Sequence, residues 1–234
     1  MSIDQTRVKK FWDSRAEKYQ ELPFESVANL EQDPENLRLK IELETEAIAK
    51  YTGDVVGKTI LDLGAGVGQW SFRFIENGAN RVTAVEYSEG LAEIGRVEAE
   101  KRGVNSIEFF VSPAEQFVTD EQFDLVFISG LFVYLNDPQA QVLAEGLASF
   151  CSDNSKLVVR DGTGVPNRHE INQAHSEHLD SEYSAVYRTR DEYIDLMTSN
   201  GFKLVKDENV FYEGCPLNKY PETRLRVYEF VLDN

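Results

Sequence analysis

Apolar positions along this chain recur with two different periods. Val8, Phe11, Trp12, Ala16 and Tyr19 keep helical spacing through residues 4–20, and Leu37, Ile41, Ile48 and Tyr51 keep it through 36–52, where Gly53 ends the run. The stretch between them, with Pro23 and Asp33-Pro34, reads as an irregular connection. From residue 58 short apolar runs alternate with helical ones. Strands are predicted at 60–63, 82–86, 107–111, 124–128 and 157–160, and helices at 69–77, from Ser88 to Gly103, and after Asp137-Pro138, a good N-cap and first-turn pair. Such alternation predicts a parallel sheet covered by helices on both faces.

The pattern changes after residue 188. Thr189-Arg190-Asp191-Glu192 is a capping box opening a helix that stops at Gly201, and the runs 202–211 and 224–232 then follow as strands with no helix between them. Two such strands can pair antiparallel at a sheet edge. The predicted fold is therefore α/β, a doubly wound, mostly parallel seven-stranded sheet with an antiparallel carboxyl-terminal edge pair.

With 234 residues, 41% of them apolar, one sizeable core is expected, and the chain is read as a single domain. Residues 1–52 form an amino-terminal helical cap, 58–161 a ligand-binding core, 162–188 an insertion beside it, and 189–234 the last helix and terminal strand pair. No apolar run is long enough to span a membrane, and the polar start lacks the apolar region of a secretory signal. A cytoplasmic protein is expected. Cys151 and Cys215 lack the spacing of a disulfide framework or a thiolate metal site. The net charge of −17 opposes a polymeric nucleic acid partner, because phosphate would be repelled unless a basic patch offset the field.

Candidate chemistry concentrates at Ile60-Leu61-Asp62-Leu63-Gly64-Ala65-Gly66-Val67-Gly68-Gln69-Trp70, a buried strand running through a glycine-rich turn into a helix. The dinucleotide fingerprint wants glycine at the first, third and sixth positions. Here Gln69 occupies the sixth, and the glycines stand at the first, third and fifth. Glu86 follows Gly64 by 22 positions, near the spacing at which a carboxylate accepts hydrogen bonds from ribose hydroxyls.

The G-x-G-x-G form resembles the first motif of the class I methyltransferases that use S-adenosylmethionine, and the carboxyl-terminal strand pair, absent from ordinary dinucleotide-binding domains, agrees with it. The resemblance runs in order of elements over about residues 10–232, with specific motifs only within 60–135. It implies S-adenosyl-L-methionine as cofactor. Gly64, Gly66 and Gly68 would let the backbone approach the methionine part, and Asp62 would orient the loop or the ligand's amino group. Glu86 would hold the ribose and Tyr87 pack on adenine. Where the family often has an aspartate before alanine, this chain has Pro113 before Ala114, so the adenine contact passes to Glu115, Gln116 or the backbone. Ser129 and Gly130 would lie under the cofactor. Residues 11–19, with Trp12 and Tyr19, resemble the helix that covers the cofactor in small-molecule members, Tyr19 being favoured as the contact.

Methyl transfer asks the protein for alignment, desolvation and, for a hydroxyl acceptor, a base. Tyr134, Asp161, His169, Glu170, His175 and His178 follow the fourth and fifth strands, and His169, Asp161 and Tyr134 are the leading catalytic candidates. The three histidines are spaced six and three apart without cysteine or an H-E-x-x-H pattern, so no metal site is expected. Their segment is expected over the acceptor pocket, with an exposed helix as the alternative. Guanidinium groups suit carboxylate or phosphate, so Arg160, Arg188, Arg224 and Arg226, with His169 and His175, form the candidate acceptor set, for an anionic sugar, a nucleotide-linked sugar or a secondary metabolite. A protein methyltransferase, a cofactor-binding module without turnover, and an NAD-dependent oxidoreductase are the other classes considered. Oligomeric state is not readable.

Overall fold

The computed structural model describes residues 2–19, 22–31, 33–176 and 181–233. Its helices are α1 (Gln5–Glu17), α2 (Phe24–Val27), α3 (Pro34–Thr52), α4 (Gln69–Glu76), α5 (Glu89–Arg102), α6 (Asp137–Leu147) and α7 (Arg190–Thr198). Its strands are β1 (Thr59–Leu63), β2 (Arg81–Glu86), β3 (Ile107–Val111), β4 (Phe123–Ser129), β5 (Cys151–Gly164), β6 (His169–Ser176), β7 (Ser181–Tyr187), β8 (Phe202–Asn209) and β9 (Thr223–Leu232). Seven of them form one sheet in the order β3-β2-β1-β4-β5-β9-β8. The first five run parallel, and β9 enters antiparallel between β5 and β8. This is the expected α/β architecture with its antiparallel terminal pair.

The central strands are apolar on both sides because helices cover both faces. Leu61, Leu63, Val126, Ile128, Leu157 and Val159 join α6 and α7 in one cluster, while Ile60, Leu125, Phe127 and Val158 join α3 and α4 in another. Each such side chain contributes roughly 1.5–3 kcal/mol on burial, so the strand ends that carry chemistry are held by a rigid floor.

Four local departures from the sequence reading matter for the site. Within the 162–188 insertion, β6 and β7 pair antiparallel as a separate two-stranded sheet, where an exposed helix was the alternative expectation. Its β7 side packs Ala185 and Val186 with Ile3 and Val8 of the amino-terminal segment. The cap of α6 is Asn136 rather than Asp137; its backbone N–H donates to Gln139 Oε1 at 3.3 Å and its side chain pairs with the Ile3 backbone at 2.8 and 2.9 Å. That shift releases Asp137 to pair with arginines. The stretch after Pro23 holds the short helix α2. Tyr19 lies beyond the end of α1 and packs with Val27, Val67 and Leu91 beneath it.

The turn between β1 and α4 explains the glycine spacing. Gly64, Gly66 and Gly68 all have positive φ, at 76°, 59° and 82°, so every second residue takes the left-handed conformation that side chains resist. Gly64 and Ala65 donate N–H groups to the Val85 carbonyl at 2.8 and 3.0 Å, fastening the loop to β2. Space adds to the requirement, since a Cβ on Gly68 would lie 2.6 Å from Phe109 Cζ. Gly68→Ala is expected to lower unfolding stability by about 1–3 kcal/mol, read by urea denaturation; an unchanged midpoint would show that the ring of Phe109 yields freely.

Candidate active site

A cavity of about 820 Å³ runs along the carboxyl ends of β3, β2, β1, β4 and β5, where open α/β sheets bind their ligands. Asp62, Gly64, Ala65 and Gly66 line it from β1, Glu86 and Tyr87 from β2, Ser112 to Gln116 from β3, Ser129 to Leu131 from β4, and Arg160 to Gly162 from β5. Gln5, Val8, Lys9 and Trp12 of α1 form part of its wall.

Glu86 organises the cofactor end. It is 7% exposed, and its two oxygens accept the N–H groups of Gly66 at 2.9 Å and Ser88 at 2.7 Å. Burial raises its carboxyl above the ordinary glutamate range, while the hydrogen bonds from Ser88, Gly66 and Tyr87 pull the other way. The glycine loop and the start of α5 are thus tied to one carboxylate that retains lone pairs for a diol in the cavity. Asp62 beside it is buried and accepts the Ser71 hydroxyl at 2.6 Å; desolvation pushes its carboxyl up to about 7. Its present partner lies on α4, so Asp62 anchors the turn from below. Side chains on the glycines would crowd this cradle: a Cβ on Gly66 would meet Ala28 Cβ at 2.9 Å, and one on Gly64 would meet Leu131 Cβ at 3.1 Å.

Tyr87 lines the cavity with its hydroxyl 3.4 Å from the Gln5 carbonyl. Ala114 and Glu115 lie in a 3₁₀ turn, and Glu115 accepts a hydrogen bond from Gln139 at 3.3 Å. Ser129 Oγ accepts from Arg160 Nη1 at 3.2 Å. Two residues move from their expected places. Gly68 does not reach the cavity and serves as the N-cap of α4 against Phe109, while Trp12, not Tyr19, is the aromatic of α1 that faces it.

α1 is held over the site by polar contacts. Ser88 Oγ donates to Asp13 at 2.7 Å, Gln5 donates to the Tyr134 carbonyl at 3.0 Å, and buried Arg15 donates to the Ser26 and Val27 carbonyls at 2.8 and 3.1 Å. Trp12 packs edge-on to Tyr134 with ring centres 5.2 Å apart.

The catalytic candidates His169, Asp161 and Tyr134 all line the β5 end of the cavity. Asp161 is fully buried, accepts the N–H groups of Phe132 at 2.7 Å and Gly162 at 2.8 Å, and is pushed by burial up to about 6. The hydroxyls of Tyr134, Tyr183 and Tyr187 form a chain with successive separations of 3.2 Å. Burial raises all three, so they remain neutral hydroxyls near pH 7.

The arginine set is dispersed. Arg188 is buried away from the cavity, donating to the Phe132 and Leu135 carbonyls and to Asp137 at 2.8, 2.9 and 2.6 Å, because the shifted α6 cap leaves Asp137 free to receive it. Arg226 pairs with Asp207 and with Asn209 on β8. Arg224 reaches the cavity edge, with its guanidinium on the carbonyls of Tyr220 and Thr223 at 3.0 and 2.8 Å. Arg160 faces the cavity and pairs with Glu44. Glu170 accepts from Arg168 at 2.7 Å. His175 has a described backbone position on β6, and His178 lies outside the described residues. Sequence reasoning passed over Glu31, Lys40, Glu44, Tyr183, Tyr187 and Lys219, all of which line the cavity. Only Lys40 and Glu44 share a local signal, being one helical turn apart.

Residues 60–153 match the family model described as a methyltransferase domain. The match spans about two fifths of the chain. The cofactor end described above falls within it, and so do β1 to β4 and α4 to α6. Among curated proteins the chain is 29% identical over 127 residues to a ubiquinone biosynthesis O-methyltransferase of Bordetella avium, an alignment covering 52% of each; the chain spans about half the length of that relative. Among solved structures it superposes on magnesium protoporphyrin IX methyltransferase from Synechocystis with bound cofactor (TM-score 0.68, 15% identity, 99% and 98% of the two chains). It also superposes on the [4+2]-cyclase SpnF (TM-score 0.66, 15% identity, 80% and 78%). The chain therefore shares the Rossmann-like fold of these structures, and that fold carries more than one chemistry.

Glu86→Gln is expected to weaken binding of S-adenosylhomocysteine about tenfold or more by titration calorimetry, because an amide cannot accept both N–H groups. Wild-type affinity in that variant would remove Glu86 from the site. Stability should carry a pH signature as well. Asp62 and Asp161 have folded-state values raised above their unfolded ones, so the stability they contribute is complete below about pH 4 and is lost as pH rises through about 6 and 7. Asp62→Asn should flatten the upper part of that decline in urea titrations between pH 5 and pH 8, and an unaltered slope would contradict the raised value.

Proposed function

We propose that this chain transfers the methyl group of S-adenosylmethionine to a small-molecule acceptor. The observation that carries the reading is the glycine turn bound to a buried Glu86 at one end of a cavity whose other end holds His169, Asp161 and Tyr134. Gly64 and Gly66 receive the amino-acid tail on bare backbone, Glu86 accepts the ribose hydroxyls, and Tyr87 with Ala114 and Glu115 borders the base. Bound cofactor supplies an activated methyl: its carbon–sulfur bond breaks as the bond to the acceptor oxygen or nitrogen forms, and sulfur keeps the electron pair as a neutral thioether.

The protein's part is alignment and proton handling. Trp12 and α1 cover the cavity and limit water. Tyr134, held as a neutral hydroxyl by burial, donates to the acceptor rather than taking its proton. His169, on β6 beside Tyr187 with ring centres 6.0 Å apart, takes the proton released from a hydroxyl acceptor. Asp161 acts on position, because both its oxygens hold backbone N–H groups. The net charge of −17 favours a free small molecule over nucleic acid. We place the protein in the cytoplasm; no helix among the described residues is long and apolar enough to cross a membrane, and Cys151 and Cys215 are buried free thiols.

The reading predicts S-adenosylhomocysteine formation when the protein is incubated with S-adenosylmethionine and a panel of phenols, amines and hydroxy acids, followed by mass spectrometry. Cofactor binding without product on any acceptor would place the chain with non-methylating members of the fold. With an active phenol, His169→Ala should lower kcat about 10²-fold or more near pH 7 and leave cofactor affinity unchanged; a kcat within twofold of wild type would assign the proton to solvent.

A further inference from the structure

The cavity lining includes a half-buried amine to which the steps above give no task. Lys40 extends from α3, donates to the Asn29 carbonyl at 2.9 Å, and has its nearest carboxylate oxygen, Glu44 Oε1, at 3.9 Å, beyond hydrogen-bond reach. That same oxygen is taken by Arg160. Across the opening, Lys219 of the β8–β9 connection pairs with Glu31 at 2.7 Å. The charged groups facing Lys40 are therefore Glu44 from its own helix, Arg160 from β5, Glu31 from the loop before α3, and Lys219. Three cations and two carboxylates thus form this cluster, and Lys40 and Arg160 share the single negative charge of Glu44.

A half-buried ammonium whose carboxylate partner is already held by another cation is incompletely compensated, and such charges are ordinarily fully paired. Desolvation pulls this one down to about 8, the response of a lysine short of a counter-ion. Its ion-pair partner is Glu44 at 3.9 Å, and the cavity beside it is open to a ligand. The excess is a single charge, which a carboxylate neutralises; a phosphate monoester would bring close to two negative charges and leave one unmet. The wall facing this cluster is aromatic. Trp12, Tyr134, Tyr183 and Tyr187 line it, and the Tyr187 ring occupies the space that a side chain at Gly162 would fill, 2.7 Å from where its Cβ would be.

We propose that Lys40 is the anion anchor of the acceptor pocket, and that the acceptor is an aromatic carboxylic acid whose carboxylate meets Lys40 and Arg160 while its ring lies along the tyrosines. This deepens the methyltransferase reading and rests on it for the occupant of the other end of the cavity. It also replaces Arg188 and Arg226, which are committed elsewhere, as the source of positive charge.

The test is titration calorimetry of the full chain saturated with S-adenosylhomocysteine, using caffeate and its uncharged amide as probes. Near pH 7 the acid should bind about tenfold more tightly than the amide, a difference worth one charge-assisted hydrogen bond. The preference should disappear in Lys40→Gln, persist in Lys40→Arg, and fade as pH is raised through about 8 toward about 9.5, where the lysine sheds its proton. Retained affinity for S-adenosylhomocysteine in Lys40→Gln reports that the variant is folded. Equal affinity for acid and amide, a preference that survives in Lys40→Gln, or no acid binding at millimolar concentration would overturn the anchor. Failure of S-adenosylhomocysteine to bind wild type would instead sink the cofactor reading, and the acid–amide comparison on the unliganded protein would still decide the role of Lys40.

Discussion

One buried carboxylate holds the ligand-binding end of this molecule together. Glu86 spans the Gly66 and Ser88 N–H groups, joining a turn that three left-handed glycines make possible to the first turn of α5. Each group needs the other: the turn presents an N–H that would be costly to bury unpaired, and the carboxylate would be costly to bury without donors. The geometry left over, a concave strip of backbone beside a carboxyl group with lone pairs to spare, suits a ligand with a charged tail and a diol.

The same logic of buried polar groups satisfied by backbone recurs at the other end. Asp161 holds the Phe132 and Gly162 N–H groups, Arg188 holds the Phe132 and Leu135 carbonyls, and Arg15 holds the segment before α3. These side chains fix loops that strand and helix ladders cannot reach, so the cavity wall is rigid where β5, the hairpin and α1 meet. Lys40 stands out against this background, since it lies on the cavity lining and shares the carboxylate of Glu44 with Arg160.

SpnF sets the boundary of what architecture alone conveys. A cyclase and a methyltransferase both superpose on this chain, with TM-scores of 0.66 and 0.68, so the chemistry rests on the side chains at the β5 end rather than on the sheet. The neutral tyrosine chain and the histidine on β6 are features of that end, and the proposed acceptor is argued from them.

Local sequence determined the order of strands and helices, the glycine turn, Glu86 at the end of β2, and the antiparallel terminal pair, because hydrophobic period, caps and positive-φ glycines act over a few residues. It also marked Asp62, Tyr87, Ala114, Glu115 and Ser129, since residues at the ends of consecutive parallel strands necessarily share one edge of the sheet. Tertiary structure decided the rest. Arg188 and Arg226 look equivalent to Arg160 in sequence, yet two meet nearby carboxylates on α6 and β8, while Arg160 meets Glu44, 116 residues away, on the cavity wall. The pairing of β6 with β7, Trp12 in place of Tyr19, and the sharing of Glu44 by Lys40 and Arg160 all arise where distant segments pack against one another, and no local period encodes which distant partner a side chain will find.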